Sequence, residues 1–343
     1  MSEIRRVVVR RLRNVVITIL GMMTLNFFLI QGVGNPIDLL TPRDPKVPCD
    51  IRIANGIRFG LYAPGSTCEK PIAYDVFTRY TLYLKNTFTG DWGRSYYWQE
   101  PVADLILRDL VWTLLLVAMG TVLYIVLGIV IGTVSAARRG KAFDLVATGF
   151  SLFFYGMPVF WLALLLQLGF TEKQFGLNWW PTFPGVGEYD DSLGPFNWRL
   201  DQLASVLQRL VLPSLTLALG FLAGVSLVMR NSLIDVMTED YVVTARAKGL
   251  PERLILRHHV LPNGMPPMVT LIALDMAFVF GGVYQIEYVF SYEGIGWRTI
   301  AAINNADFPV LQFVVLLGGI AVILGNFVAD LVLLKIDPRI KIA

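Results

Sequence analysis

Residues 110–137 read LVWTLLLVAMGTVLYIVLGIVIGTVSAA and contain no Asp, Glu, Lys or Arg. A helix needs about 20 mainly apolar residues to cross the hydrocarbon core of a bilayer, so this run is long enough to span it. Four further uncharged runs are also long enough: residues 14–37, 145–171, 210–229 and 308–329. A sixth run, residues 268–287, is interrupted by Asp275. The sequence therefore predicts an all-α integral membrane protein with six transmembrane helices.

The composition of the whole chain agrees with this prediction and excludes other classes. Hydrophobic residues make up 55% of the 343 residues and charged residues only 16%, against about 25% in soluble domains. Outer-membrane β-barrels have strands of about ten residues with alternating polarity, and this pattern is absent. No basic patch is interleaved with aromatic residues, as a nucleic-acid surface requires. A soluble enzyme and a nucleic-acid-binding protein are therefore excluded.

Lysine and arginine are concentrated at particular places between the apolar runs. The N-terminus and residues 135–145, 230–267 and 335–343 carry 16 of the 29 basic residues. Basic loops stay on the cytoplasmic side of a membrane, so we expect both termini to be cytoplasmic. The expected organisation is a cytoplasmic N-terminus and first span at 1–31, and an extracytoplasmic insert between the first two spans at 32–109. The other five spans follow at 110–343, with a cytoplasmic loop at 230–267.

The two cysteines, Cys49 and Cys68, both fall in the predicted extracytoplasmic insert. Thiols outside the cytoplasm tend to oxidise, so we expect a disulfide between them; the alternative is a pair of free cysteines too far apart to bridge. The two histidines, His258 and His259, are adjacent, and neighbours on a helix point in different directions. No metal site is expected.

The loop at 230–267 has the local signals of two short helices. Thr238 is expected to cap the start of the first helix, and Gly249 to follow its end. Pro251 suits the first turn of the second helix, and Pro262 is expected to end that helix near residue 260. The loop is either a solvated connection or a docking element for a cytoplasmic partner.

The same loop resembles the signature loop of bacterial ABC-importer permeases, through Ala245-x-x-x-Gly249 followed by Leu261-Pro262. The family pattern begins Glu-Ala-Ala and ends Ile-x-Leu-Pro, whereas this chain has Val243-Thr244 before Ala245 and His259 in place of the isoleucine. These departures resemble the dipeptide/oligopeptide/nickel branch of the family. The resemblance covers nearly the whole chain and is weakest at residues 35–78. The other matching motifs are Gly90-Asp91-Trp92-Gly93-Arg94-Ser95, Leu212-Pro213-Ser214, Gly281-Gly282 through Glu287 to Gly294-x-Gly296, and Asp337-Pro338-Arg339.

The resemblance implies a type I importer permease that works with other subunits in a bacterial or archaeal cytoplasmic membrane. The implied partners are a second, homologous permease subunit, two cytoplasmic ATPases that bind ATP and Mg, and an extracytoplasmic substrate-binding protein. The chain has no GxxxxGK[ST] phosphate-binding loop, so it is expected to be neither an enzyme nor a cofactor-binding protein. By resemblance, the ATPase-coupling residues are Ala245, Arg246, Ala247, Lys248, Gly249, Leu250, Arg253, Leu261 and Pro262.

A second group of candidate residues lies in the predicted fifth span. Ionisable residues within a membrane are costly, so Asp275 and Glu287 are candidates for the translocation path or its gate. Gly281 and Gly282 join them, as positions for close helix packing or a local bend.

The predicted function is that of a permease subunit that forms half of the translocation path for di- or oligopeptides. The alternative substrates are oligosaccharides or nickel. A stand-alone channel or secondary transporter is the alternative from a different class, and it would have no use for a docking loop.

Overall fold

The computed structural model describes residues 2–33, 49–58, 61–171, 177 and 179–336. Within these residues the regular structure is helical, with three isolated β-bridges, and this confirms the all-α prediction. The helices are α1 (Ser2–Val33), α2 (Cys49–Arg58), α3 (Val76–Thr89), α4 (Val102–Ala137), α5 (Ala142–Tyr155), α6 (Val159–Phe170), α7 (Leu200–Val236), α8 (Asp240–Ala247), α9 (Glu252–Ile255), α10 (Leu261–Gly264), α11 (Pro266–Val289), α12 (Ile295–Asn304) and α13 (Phe308–Ile336).

Four of the described helices, α1, α4, α7 and α13, are long and apolar enough to cross a membrane. Helices α5 and α6 together form a further candidate span, but they are bent by 103° at the break between them. Pro158 lies at this break and disfavours a helical conformation at the residue before it. The uniform apolarity of residues 145–171 did not predict the bend. Helix α11 occupies the position of the sixth predicted span, and the total of six remains a prediction.

The chain divides into two compact units, Met1–Val111 with Trp297–Ile323 and Trp112–Gly296 with Leu324–Ala343. In the first unit, α1 and α13 lie antiparallel. Asn26 donates a hydrogen bond from Nδ2 to the carbonyl oxygen of Gln312, over 2.7 Å. Nearer the other end of the pair, a Cβ on Gly319 would overlap Met22, so the absence of a side chain lets the two helices approach closely.

The segment before α4 is fixed to the start of α13. Asp307 is fully buried, and its carboxylate accepts hydrogen bonds from the Ser95 hydroxyl and from the Tyr97 N–H, the latter over 3.0 Å. Ser95, the last residue of the Gly-Asp-Trp-Gly-Arg-Ser motif, thus fixes this segment to the start of α13. In the same unit Cys49 and Cys68 form a disulfide with their Cα atoms 5.9 Å apart, which joins α2 to the segment before α3.

The second unit is built around α7, many of whose side chains are buried. Glycines on α4 allow the backbones of α4 and α7 to approach each other, as small residues commonly do in membrane helices. A Cβ on Gly128 would lie 2.5 Å from Val225, and one on Gly132 would lie 2.5 Å from the carbonyl oxygen of Ser226. This close packing fixes the helix from which the 230–267 loop emerges.

Candidate functional site

The loop after α7 begins differently from the prediction. Glu239, not Thr238, occupies the N-cap position of α8, and its side chain makes no capping hydrogen bond. The Thr238 hydroxyl instead donates to the carbonyl oxygen of Asp235 over 2.7 Å. Because α7 ends only two residues earlier, its last carbonyls are within reach of this hydroxyl. The predicted cap was therefore wrong by one residue.

The end of α8 agrees with the prediction for Gly249. This residue has a φ of +75°, in the left-handed region that favours glycine. The N–H of Leu250 returns to the carbonyl oxygen of Ala245 over 3.3 Å, which closes the last turn of the helix. Gly249 is thus an elbow between two short helical pieces.

The second helical piece does not end near residue 260 as predicted. After α9 the chain continues through a π-helical turn, Leu256–Val260, and then through α10 to Gly264. In the π-turn the N–H of Leu261 bonds to the carbonyl oxygen of Leu256. Pro262 then stands in the first turn of α10, where its missing N–H costs nothing. The shift in hydrogen-bond register explains how the helix passes the proline.

One face of the loop is buried against the end of α7. Val242, Ala245, Ile255 and Val260 belong to the core that also contains Leu233 of α7. At the end of the loop, Ser232 donates to the carbonyl oxygen of Gly264 over 2.9 Å. A Cβ on Gly264 would lie only 2.5 Å from Leu233. The loop is therefore anchored to α7 at both of its ends.

Outside this buried side, the loop exposes apolar as well as basic side chains. The exposed fractions are 43% for Tyr241, 53% for Val243 and 41% for Leu254. We call these three residues the apolar loop face. Tyr241 was missed by the sequence analysis, and Val243 was noted only as a departure from the family pattern. The only indication of them in the sequence is that they stand on either side of Val242, so their side chains point away from the side of the helix on which Val242 is buried.

The predicted coupling residues all lie on the 230–267 loop, where they have different environments. Ala245 is buried, whereas Leu250 and Leu261 are half-buried. Arg246 is engaged within the loop, because its Nε lies 2.7 Å from Glu252 Oε1 and so joins α8 to α9. The remaining predicted coupling residues are exposed: Ala247, Lys248, Gly249, Arg253 and Pro262.

Among the residues predicted for the translocation path, Glu287 is fully buried. One of its carboxylate oxygens accepts a hydrogen bond from the Thr113 hydroxyl and the other from the Gly296 N–H, each over 2.7 Å. A Cβ on Gly294 would overlap this carboxylate, and one on Gly296 would overlap the backbone of Tyr284. Glycine at position 294 thus leaves room for the Glu287 carboxylate, and glycine at position 296 leaves room for the backbone of Tyr284. This geometry favours a role for Glu287 in holding the turn after α11.

The other predicted path residues lie on α11. Asp275 is half-buried. It precedes Glu287 by twelve residues, or about 18 Å along a helix, so the two carboxylates do not form a pair. Gly281 and Gly282 lie nearer to Glu287, and their surroundings fall outside the described residues, as does the Asp337-Pro338-Arg339 motif.

Two ion pairs, each with a buried carboxylate, were missed by the sequence analysis. In the first unit, Arg298 and Asp109 are 2% and 1% exposed, with Nε and Oδ2 2.5 Å apart. The Arg298 guanidinium also lies 4.4 Å from the ring centre of Trp98. In the second unit, Arg230 makes a bidentate contact with buried Asp144, at 2.6 and 2.7 Å. The signal in the sequence was that Asp109, Asp144 and Arg230 each stand at the end of an uncharged run.

A segment between α6 and α7 contacts the turn that follows α11. The N–H of Gly187 donates to the carbonyl oxygen of Phe290 over 3.2 Å. Burial, together with the nearby carboxylates of Glu293 and Asp191, raises the pKa of Glu188 to about 7. This carboxyl group therefore titrates near neutral pH.

Comparison with known proteins places the chain in a family. Residues 125–342 match the family described as binding-protein-dependent transport system inner membrane component. The chain belongs to this family. The permease is 31% identical over 338 residues to the oligopeptide transport system permease protein OppB of Mycobacterium tuberculosis, covering 98% of this chain and 99% of that one.

Other relatives extend over the same length. The permease is 29% identical to the oligopeptide transport system permease protein AppB of Bacillus subtilis, with 97% of this chain and 98% of the relative covered. It is also 29% identical to the dipeptide transport system permease protein DppB of Alkalihalophilus pseudofirmus, with the same coverage. The resemblance seen in the loop and span motifs is thereby confirmed, and the permease is an integral protein of the inner membrane.

Proposed function

We propose that this chain is a permease subunit of an ATP-driven importer of di- or oligopeptides. The observation that carries the proposal is similarity over almost the full length to permeases named for oligopeptides and dipeptides. Relatives named for peptides favour this substrate over the alternatives, oligosaccharides and nickel.

The proposed partners are a second, homologous permease, two cytoplasmic ATPases and an extracytoplasmic binding protein. ATP and Mg bind to the ATPases, and this chain contributes no hydrolytic residue. Both termini and the loops at 135–145 and 230–267 lie in the cytoplasm, in keeping with the 16 basic residues of these regions.

The proposed contact with an ATPase is the apolar loop face. Several exposed apolar side chains on one short loop, together with the exposed Lys248 and Arg253, favour a surface that a partner covers. Because the loop is anchored to α7 by Leu233 and Gly264, a movement of the loop is passed to a membrane-spanning helix. This anchoring supports a coupling role over a solvated connection.

The proposed path lies along α11 and includes Asp275, Gly281 and Gly282. Asp275 is the residue that meets the substrate or water in this proposal, because a half-buried carboxylate at membrane depth is costly without a function. Glu287 shapes the end of the path through its bonds to Thr113 and Gly296.

The test is reconstitution of the permease in liposomes with the subunits encoded beside its gene. We expect di- and oligopeptides to stimulate ATP hydrolysis and to be taken up only when ATP is present. Stimulation by oligosaccharides or nickel, with none by peptides, would overturn the substrate. Solute uptake by the permease alone without ATP would overturn the importer in favour of a channel.

A further inference from the structure

The first unit contains a cavity of about 430 Å³ that belongs neither to the loop nor to the proposed path. Its apolar wall comes from Phe27 and Ile30 near the end of α1 and from Phe308 and Phe313 at the start of α13. Its polar wall comes from α3 and the segment that follows it. The cavity therefore joins two membrane-spanning helices to a part of the chain outside the membrane.

The cavity lies at the level of a membrane surface. Helices α1 and α13 run antiparallel, and the cavity is at the end of one and the beginning of the other. Trp92 and Tyr96 also line it, and such aromatic residues are enriched where hydrocarbon meets headgroups. In the orientation proposed above, this is the extracytoplasmic surface.

The polar wall carries more positive than negative charge. Arg79, Arg94 and Asp91 all line the cavity. In the described part of the chain, no carboxylate forms an ion pair with Arg79. Burial lowers the pKa of the Arg79 guanidinium, and the nearby Tyr96 acts in the opposite direction. Arg94 donates from Nη2 to the carbonyl oxygen of Gln99 over 2.6 Å. Its Nε is buried without a hydrogen-bond partner among the described residues. Partly buried guanidinium groups with unused donors are typical of a phosphate site.

An apolar surface continues from the cavity along α1. Leu25 is 61% exposed and Leu29 is 62% exposed, and Phe28 between them is also exposed. These residues stand within one or two positions of Phe27 and Ile30. A molecule with its anionic group in the cavity could therefore lay an acyl chain along this helix.

We propose that this cavity binds a phospholipid, with its phosphate at Arg79 and Arg94 and its acyl chains along α1. The site takes one lipid from the leaflet that faces α3. The Asp91 carboxylate, which also lines the cavity, limits the negative charge that the site accepts. This inference does not depend on the transported substrate or on the ATPase partners.

The experiment uses the full chain, purified with its partner subunits, stripped of lipid and titrated with single lipids under native mass spectrometry. We expect phosphatidylglycerol and phosphatidylethanolamine to bind, and diacylglycerol, which lacks the phosphate, to bind at least about tenfold more weakly. Equal binding of diacylglycerol would overturn the phosphate site. Equally tight binding of glycerophosphate would overturn the lipid and leave a site for free phosphate.

Variants locate the site. Arg79→Gln is expected to weaken phospholipid binding about tenfold. Lys85→Gln, on the same helix but exposed and outside the cavity, is expected to bind like wild type. Arg79→Lys, which keeps the charge, should recover part of the binding. If Arg79→Gln binds as Lys85→Gln does, the assignment is wrong. If Arg79→Gln fails to fold, the diacylglycerol comparison on wild type decides.

Discussion

At the scale of single residues, charged side chains at the ends of the apolar runs make the most specific contacts of the molecule. Asp109, Asp144 and Asp307 are each buried, and each stands immediately before or at the start of an apolar run. A charge is costly in hydrocarbon, so it is placed where the run ends and where a partner can satisfy it. These residues fix helix ends to one another.

The first prediction concerns the buried pair of the first unit. Arg298→Leu removes the bidentate partner of Asp109 and leaves the exposed Arg108, with its Nε 3.7 Å from the carboxylate, as the nearest cation. Loss of the close partner of a buried charge costs about 3–5 kcal/mol of unfolding free energy. Replacing both residues with leucine removes the charge as well, so the double variant should be more stable than the single one. Denaturant unfolding in detergent measures both. A single variant as stable as the double variant would contradict this account.

The second prediction concerns the turn that packs against Glu287. A Cβ on Gly296 would overlap the backbone of Tyr284, so Gly296→Ala must shift the start of α12. We expect a loss of about 1–3 kcal/mol in the free energy of unfolding, as overpacked sites generally show. Gly224→Ala is the matched control, because no atom lies within 4 Å of its new Cβ. Equal stability of the two variants would show that the turn is not tightly packed.

At the scale of elements, the 230–267 loop has one side packed against α7 and exposes apolar side chains elsewhere. Its elbow depends on backbone conformation alone, because a Cβ on Gly249 would meet no atom within 4 Å. The π-turn at Leu256–Val260 lets the chain stay helical up to Gly264, where it contacts α7. The loop is therefore a short helical segment that is attached to a long helix.

The third prediction tests this elbow. Gly249→Asn should preserve co-purification of the ATPases, because asparagine tolerates the left-handed region. Gly249→Val should reduce co-purification, because a β-branched residue at a φ of +75° costs about 1–2 kcal/mol or more. The two variants differ in conformational preference while the space around them is open. Equal co-purification with both would mean that the elbow conformation is not needed.

Much of the element scale was predictable from the sequence, for a physical reason. A bilayer demands long uncharged runs, so the positions of α1, α4, α7 and α13 follow from charge alone. The bend at Pro158 and the π-turn before Pro262 were not predictable, because they depend on how local hydrogen bonds are rearranged. The pairing of Asp109 with Arg298 was equally hidden, since 189 residues separate them along the chain. The motif of the loop identified the candidate site, but not which of its faces is exposed.

At the scale of the whole molecule, stability should depend on pH through Glu188. Its pKa of about 7 lies above the ordinary value of 4.5, so between these pH values the folded chain holds a proton that the unfolded chain lacks. This contribution to stability is present at low pH and is lost as the pH rises through about 7. When the pH is raised from about 5 to about 8, the melting temperature of wild type should therefore fall more than that of Glu188→Gln. Glu69→Gln, at an exposed position, is the control. Parallel profiles for wild type and Glu188→Gln would contradict the raised pKa of Glu188.

The proposed function of the whole molecule rests on coupling between the loop and an ATPase, and one comparison tests it most directly. Val243→Glu places a charge on the apolar loop face, and Val76→Glu places the same charge at a similarly exposed position, with 53% and 48% of the two valines exposed. The measurement is the amount of ATPase that co-purifies with each variant in detergent. We expect Val76→Glu to retain the ATPases at the wild-type level and Val243→Glu to lose most of them. If Val243→Glu retains as much ATPase as Val76→Glu does, the apolar loop face is not the docking surface.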